Sequence, residues 1–221
     1  MRFALLTSPL LGPSAWGPVR AELATTGYDS VVAAHLGAAP GLAEHVAAAF
    51  VEALAPTDEW FLVPHSNAGL LAPSVARQRR VRAVVYVDAR LPTCGMHPMS
   101  AQESLRFLTE LADADGLLPR WCDWWNDDMA ILYPSAASRR DCEAEMRRLP
   151  LDYFQDTVDG TGWDDLPSGY VAFGETYEAE RTRASEAGCA TTTINGAEHL
   201  HMLIDPAGVA RQIAKLVAEI D

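Results

Sequence analysis

The sequence is short of basic charge. Its 221 residues include 17 Lys and Arg, only one of them a lysine (Lys215), against 30 Asp and Glu, for a formal net charge of −13. No stretch concentrates enough Lys or Arg to form the basic face that a polyanion needs. Nucleic acid is therefore excluded as a partner, and an anionic membrane surface is disfavoured. Cysteine is sparse too. Cys94, Cys122, Cys142 and Cys189 lie far apart, with no C-x-x-C pair and no histidine at zinc spacing. That excludes a disulfide framework and a structural zinc site, and it fits free thiols in a reducing, cytoplasmic compartment. Carboxylates such as Asp123, Asp127, Asp128, Asp152, Asp156, Asp159, Asp164 and Asp165 are too spread out for a metal site and read as a solvated face, so no metal is expected. No run approaches the roughly 18 apolar residues of a membrane span. The apolar start, Phe3-Ala4-Leu5-Leu6, is broken by Pro9, Gly12 and Pro13, and reads as a buried strand and not as a signal peptide.

What the sequence does have is rhythm. With 49% hydrophobic and 21% charged residues it has the composition of a packed domain. Strand-like apolar segments at 2–7, 30–34, 60–63, 81–87, 170–173 and 190–194 alternate with helical stretches at 13–26, 41–55, 67–80, 176–187 and 206–220. The strands are apolar on both faces, as in a parallel sheet covered by helices on each side. The rhythm breaks between 89 and 168. No strong strand appears there, and helices are expected over 100–115, 120–132 and 135–149, punctuated by Pro119, Pro134, Pro150 and Pro167. The expectation is an α/β fold: a mostly parallel six-stranded sheet flanked by helices. Its core comprises 1–88 and 169–221, with a helical cap, 89–168, between strands four and five.

The third strand runs straight into Pro64-His65-Ser66-Asn67-Ala68-Gly69, and a helix follows. That is the setting of a nucleophile elbow, where a tight strand-to-helix turn exposes a serine. The usual G-x-S-x-G is altered, with Pro64 and Ala68 at the flanking positions. Alone, such a serine is as readily a helix cap. Gly196-Ala197-Glu198-His199 lies between the last strand and the last helix. A histidine there reaches the same C-terminal sheet edge, where ligands of open α/β sheets bind, and can serve as a base for a serine hydroxyl. His201 is its rival. Asn67 follows the serine and can donate its N–H to an oxyanion.

In this order of strand, elbow, strand, helical insert, strand and histidine loop, the sequence resembles the α/β-hydrolase superfamily over nearly its whole length. The resemblance implies Ser66 as nucleophile and His199 as base. Two positions depart from the family. Where G-x-x-D would supply the acid, the chain has Gly174-Glu175-Thr176-Tyr177, and a tyrosine cannot give the orienting carboxylate. Asp88, after the strand preceding the cap, is the preferred replacement, with Glu175 or Glu178 as alternatives. The oxyanion loop reads Thr7-Ser8-Pro9-Leu10-Leu11-Gly12; Pro9 has no N–H, so Leu10 is the expected second donor. Trp121, Trp124 and Trp125, at helical spacing, either anchor the cap or form an aromatic wall over an apolar acyl group. Leu11 and His65 join them as expected substrate contacts, and His35 is a possible polar neighbour. The implied activity is hydrolysis of a carboxylic ester or thioester, from a small-molecule or carrier-bound acyl substrate, without a cofactor. The alternative is a non-hydrolytic enzyme of the same fold: an acyltransferase, lyase or cyclase.

Overall fold

Among the described residues eight strands form in chain order: β1 Arg2–Leu6, β2 Asp29–Ala33, β3 Glu59–Ser66, β4 Arg80–Ala89, β5 Met96–Pro98, β6 Thr157–Asp159, β7 Ser168–Phe173 and β8 Ala190–Ile194. The structure is a computed structural model that describes residues 1–35, 42–125 and 129–220. Six strands make one sheet in the order β2-β1-β3-β4-β7-β8, and every pairing in it is parallel. The cause lies in the strand sequences. Residues 60–66 of β3 and 83–89 of β4 are all buried, as strands covered on both faces must be. The order reverses between β1 and β3, and such a switch point opens a crevice beyond the carboxyl ends of the strands.

The helices of the core are α1 Gly17–Thr25, α2 Ala43–Ala53 and α3 Ala72–Ala76 before the rhythm breaks, and α7 Glu178–Glu186, α8 His201–Ile204 and α9 Pro206–Ile220 after it. α9 buries Val209, Ala210, Ile213, Leu216 and Val217, the one-sided spacing of an amphipathic helix, and packs on α1 and the sheet. The helix expected over 67–80 is shorter than its pattern. Pro73 carries no N–H, so residues Asn67–Leu71 form a 3-10 turn and α3 occupies only Ala72–Ala76 before β4 begins.

Between β4 and β7 the chain forms α4 Gln102–Leu111, α5 Ala136–Glu145 and α6 Leu151–Gln155. The helix expected over 120–132 does not form. Trp121–Asp123 and Met129–Leu132 are separate 3-10 turns. The Trp124 indole N–H donates to the Pro119 carbonyl (2.9 Å), and the Asp- and Asn-rich sequence has little helix propensity to oppose such side-chain packing. Asp127 and Asp128 lie outside the described residues. β5 and β6 form a small antiparallel ribbon where no strand was expected; three residues per strand are too few to show alternation. This segment is tied back to the core. Glu145 accepts the Ser14 N–H (2.8 Å), and Asp156 accepts the Ala43 N–H (3.0 Å). No helix among the described residues is long and apolar enough to cross a membrane.

Candidate active site

β3 ends on Ser66, whose backbone has φ 57° and ψ −131°. Among the described residues, only Ser66 and Asp88 (φ 41°) are non-glycine residues with positive φ. Such conformations are disfavoured by the Cβ and persist where surrounding structure enforces them. Here the turn is clamped against β4. The Ser66 carbonyl accepts the Arg90 N–H (3.1 Å), and Gly69 comes so close that a Cβ there would lie 2.1 Å from the Arg90 carbonyl oxygen. The residue that must be small is thus Gly69, three after the serine. The expected pattern had directed attention to Ala68.

Asp88, at the end of β4, is completely buried. One carboxylate oxygen accepts the Phe173 N–H (3.0 Å), and the other lies 2.5 Å from Nδ1 of His199. The Tyr170 hydroxyl secures this strand end by donating to the Ala89 carbonyl (2.7 Å) and accepting the Ala89 N–H (3.1 Å). Glu175 and Glu178 are not brought to the histidine. Both are exposed, and Glu178 pairs with Arg181. His201 packs on the Phe173 ring instead (5.7 Å between centroids).

With Nδ1 against a carboxylate, Nε2 is left as the basic nitrogen of His199. The ring stacks on His65 (4.5 Å between centroids) and lies 5.5 Å from Tyr177 and 6.0 Å from Trp121. His65 donates its Nε2–H to the His199 carbonyl (3.0 Å). Burial, and then the neighbouring His199, hold the His65 imidazole well below its ordinary range, so it stays neutral. His65 therefore packs against His199; it does not line the cavity where its substrate contact was expected. Leu11 likewise packs into the core, and His35 is also away from the cavity.

The Ser66 hydroxyl has its hydrogen bond with the Tyr177 hydroxyl, at 3.4 Å. Burial raises the Tyr177 phenol, so it remains protonated. Sequence reasoning treated Tyr177 only as a missing acid. The signal it passed over is the register itself, since the family's acid position faces this edge of the sheet.

These groups open onto one cavity of about 540 Å³. Leu10, Ser66, Asn67, Tyr177 and His199 line it together with Trp121, Trp124, Trp125, Phe107 and Phe154. Trp125 packs against both other tryptophans, with centroids 5.5 Å apart for Trp121–Trp125 and 5.7 Å for Trp124–Trp125. Arg90 and Glu180 supply the charged part of the lining. The Asn67 side chain is spent on fixing the wall: it accepts from the Tyr153 hydroxyl (2.5 Å) and donates to the Met99 carbonyl (3.2 Å). Among the described residues, no group of three or more His, Cys, Asp or Glu side chains is placed to hold a metal ion.

No family model matches the sequence. No curated protein matches it either. Solved structures do. An extracellular α/β-hydrolase from a Paenibacillus species, described as sharing structural and functional homology with tobacco salicylic acid binding protein 2, superposes with a TM-score of 0.78 at 18% identity, over 100% of this chain and 98% of that one. Polyneuridine aldehyde esterase gives 0.74 at 15% identity, over 98% of each chain. Tomato methylketone synthase I complexed with 2-tridecanone gives 0.75 at 15% identity, over 100% of this chain and 98% of that one. At these identities the likeness is one of fold, and over the full length of both partners the fold is unambiguous: this chain has the α/β-hydrolase fold.

Proposed function

We propose that the protein hydrolyses a carboxylic ester or thioester of a small, largely apolar molecule through an acyl-enzyme on Ser66. The observation that carries this reading is the buried Asp88–His199 pair at 2.5 Å, sharing one aromatic-lined cavity with a serine on a strained turn. In the reaction, His199 Nε2 takes the Ser66 hydroxyl proton as Oγ attacks the acyl carbon. The oxyanion that forms is held by the N–H groups of Asn67 and Leu10. As the intermediate collapses, His199 returns the proton to the leaving alcohol or thiol. Water, deprotonated by His199, then attacks the acyl-enzyme, and the free acid departs with Ser66 restored. Asp88 keeps the imidazole in the tautomer with its proton on Nδ1 and stabilises the imidazolium. The Tyr177 bond to Ser66 is long and weak, so it yields at little cost when the hydroxyl turns to His199. Trp121, Trp124 and Trp125 enclose the apolar part of the substrate. No step requires a cofactor. The neighbours named as esterase and hydrolase support the same chemistry, and the free cysteines support a cytoplasmic setting.

The test is labelling with a small fluorophosphonate, read by intact mass and peptide mapping. Wild type should carry one adduct, on Ser66, and His199→Ala should carry none. A folded wild-type protein that resists this probe and a smaller one would overturn the proposal.

A further inference from the structure

We infer that the cavity accepts esters whose apolar body also carries one carboxylate, and that Arg90 holds it. The inference rests on the cavity proposed above as the active site. Arg90 follows Asp88 by two residues, and its own N–H is bonded to the Ser66 carbonyl, so its backbone is fixed beside the nucleophile. Its side chain lines the cavity and is 25% exposed. A guanidinium has five N–H donors. One Nη1 donor goes to the Met99 carbonyl (2.6 Å), while Nε lies 3.8 Å from the Glu180 carboxylate, beyond hydrogen-bond length. Among the described residues, most of the donor capacity of Arg90 is therefore unspent.

Glu180 offsets the Arg90 charge only in part, because it is shared with Arg183. It accepts from Arg183 (2.5 Å) and from the Leu91 N–H (3.3 Å), and Arg183 also donates to the Pro92 carbonyl (2.9 Å). With the buried Asp88 counted, the two guanidiniums and two carboxylates of this region balance, and Asp88 is spent on the Phe173 N–H and His199, so what Arg90 offers the cavity is unspent donors. The protein as a whole is strongly acidic. Arg90 is the guanidinium of an aromatic-walled cavity, and its unspent donors offer a bound anion charge-assisted hydrogen bonds there. One positive charge matches one carboxylate, whose two oxygens fit the guanidinium fork. A phosphate dianion would leave an uncompensated negative charge beside Glu180. The aromatic walls then take the apolar body, and the scissile ester lies toward Ser66.

The test is calorimetric titration of the wild-type protein with 2-naphthoate and with the neutral 2-naphthamide. Naphthoate should bind about tenfold more tightly or better. Arg90→Met should erase that preference and leave amide binding within about twofold. Glu180→Gln, which removes a negative charge beside Arg90, should strengthen naphthoate binding several-fold; it keeps the idea testable if Arg90→Met does not fold. Equal affinity for the two ligands, a preference that survives Arg90→Met, or no gain in Glu180→Gln would overturn the inference. In parallel, mono-4-nitrophenyl succinate should be cleaved with higher kcat/KM than 4-nitrophenyl butyrate. If neither ester is cleaved while naphthoate still binds through Arg90, the hydrolytic reading falls and the carboxylate site stands.

Discussion

Replacing Ser66 with glycine should stabilise the protein while abolishing its activity. At φ 57° and ψ −131° the Ser66 Cβ is crowded by its own backbone. Holding a non-glycine residue in such a region costs roughly 1–3 kcal/mol. Glycine removes that cost but adds freedom to the unfolded chain, which takes back about 0.5–1 kcal/mol. The hydroxyl it loses makes only the 3.4 Å bond to Tyr177. The balance is a gain of about 0–2.5 kcal/mol. In a chain of this size each kcal/mol moves Tm by about 2–4 °C, so a rise of up to roughly 10 °C is expected. Ser66→Ala is the control, because it removes the same hydroxyl and keeps the Cβ. Scanning calorimetry of the three proteins decides the matter. A glycine variant no more stable than the alanine variant would refute the strain argument.

Asp88→Asn should lower kcat by roughly 10²–10⁴-fold with KM little changed, because a carboxamide no longer fixes the His199 tautomer; steady-state kinetics on 4-nitrophenyl esters checks this, and an unchanged kcat would remove Asp88 from the mechanism. Gly69→Ala should destabilise the fold by about 1–3 kcal/mol or more, since the new Cβ meets backbone at 2.1 Å and not a yielding side chain; urea denaturation measures it. His65 gives a pH signature. Its folded-state proton affinity lies below the ordinary value of 6.5, so the unfolded chain takes up the extra proton. Its contribution to stability is thus complete above about pH 6.5 and declines as the pH falls from there toward the folded value. His65→Gln should flatten the fall in Tm between about pH 7 and 5, leaving a residual slope from His97, which burial lowers in the same sense.

The six sheet strands were legible because a parallel sheet buries both faces, which writes continuous apolar runs into the sequence. Pro206–Ile220 was legible to the residue because its apolar stripe is regular and proline marks its start. Ser66 and His199 were legible from where their loops fall relative to strands. The sequence left Asp88 in competition with Glu175 and Glu178, and only the contacts of the Asp88 carboxylate with the Phe173 N–H and His199 separate them. The segment between β4 and β7 was least readable. Its tryptophans are placed by indole hydrogen bonding and ring packing, which have no period. Tyr177 and Arg90 were passed over because their neighbours are 111 and 90 positions from them in sequence, Ser66 and Glu180 respectively, and no local pattern reports such contacts.

The wide separation of these parts along the chain also governs when reactivity can arise. Ser66 and Asp88 are neighbours on adjacent central strands, whereas His199 is 111 positions beyond Asp88 and follows the edge strand β8, whose sole partner in the sheet is β7. As the polypeptide leaves the ribosome, the strained serine emerges long before its base. Docking of β7 and β8, with the intervening segment folded across, is a late, non-local event. Until it occurs the hydroxyl is an ordinary alcohol. Under the proposed mechanism, competence to form an acyl-enzyme is acquired at the end of folding, and covalent labelling of Ser66 would double as a clock for completion of the native sheet.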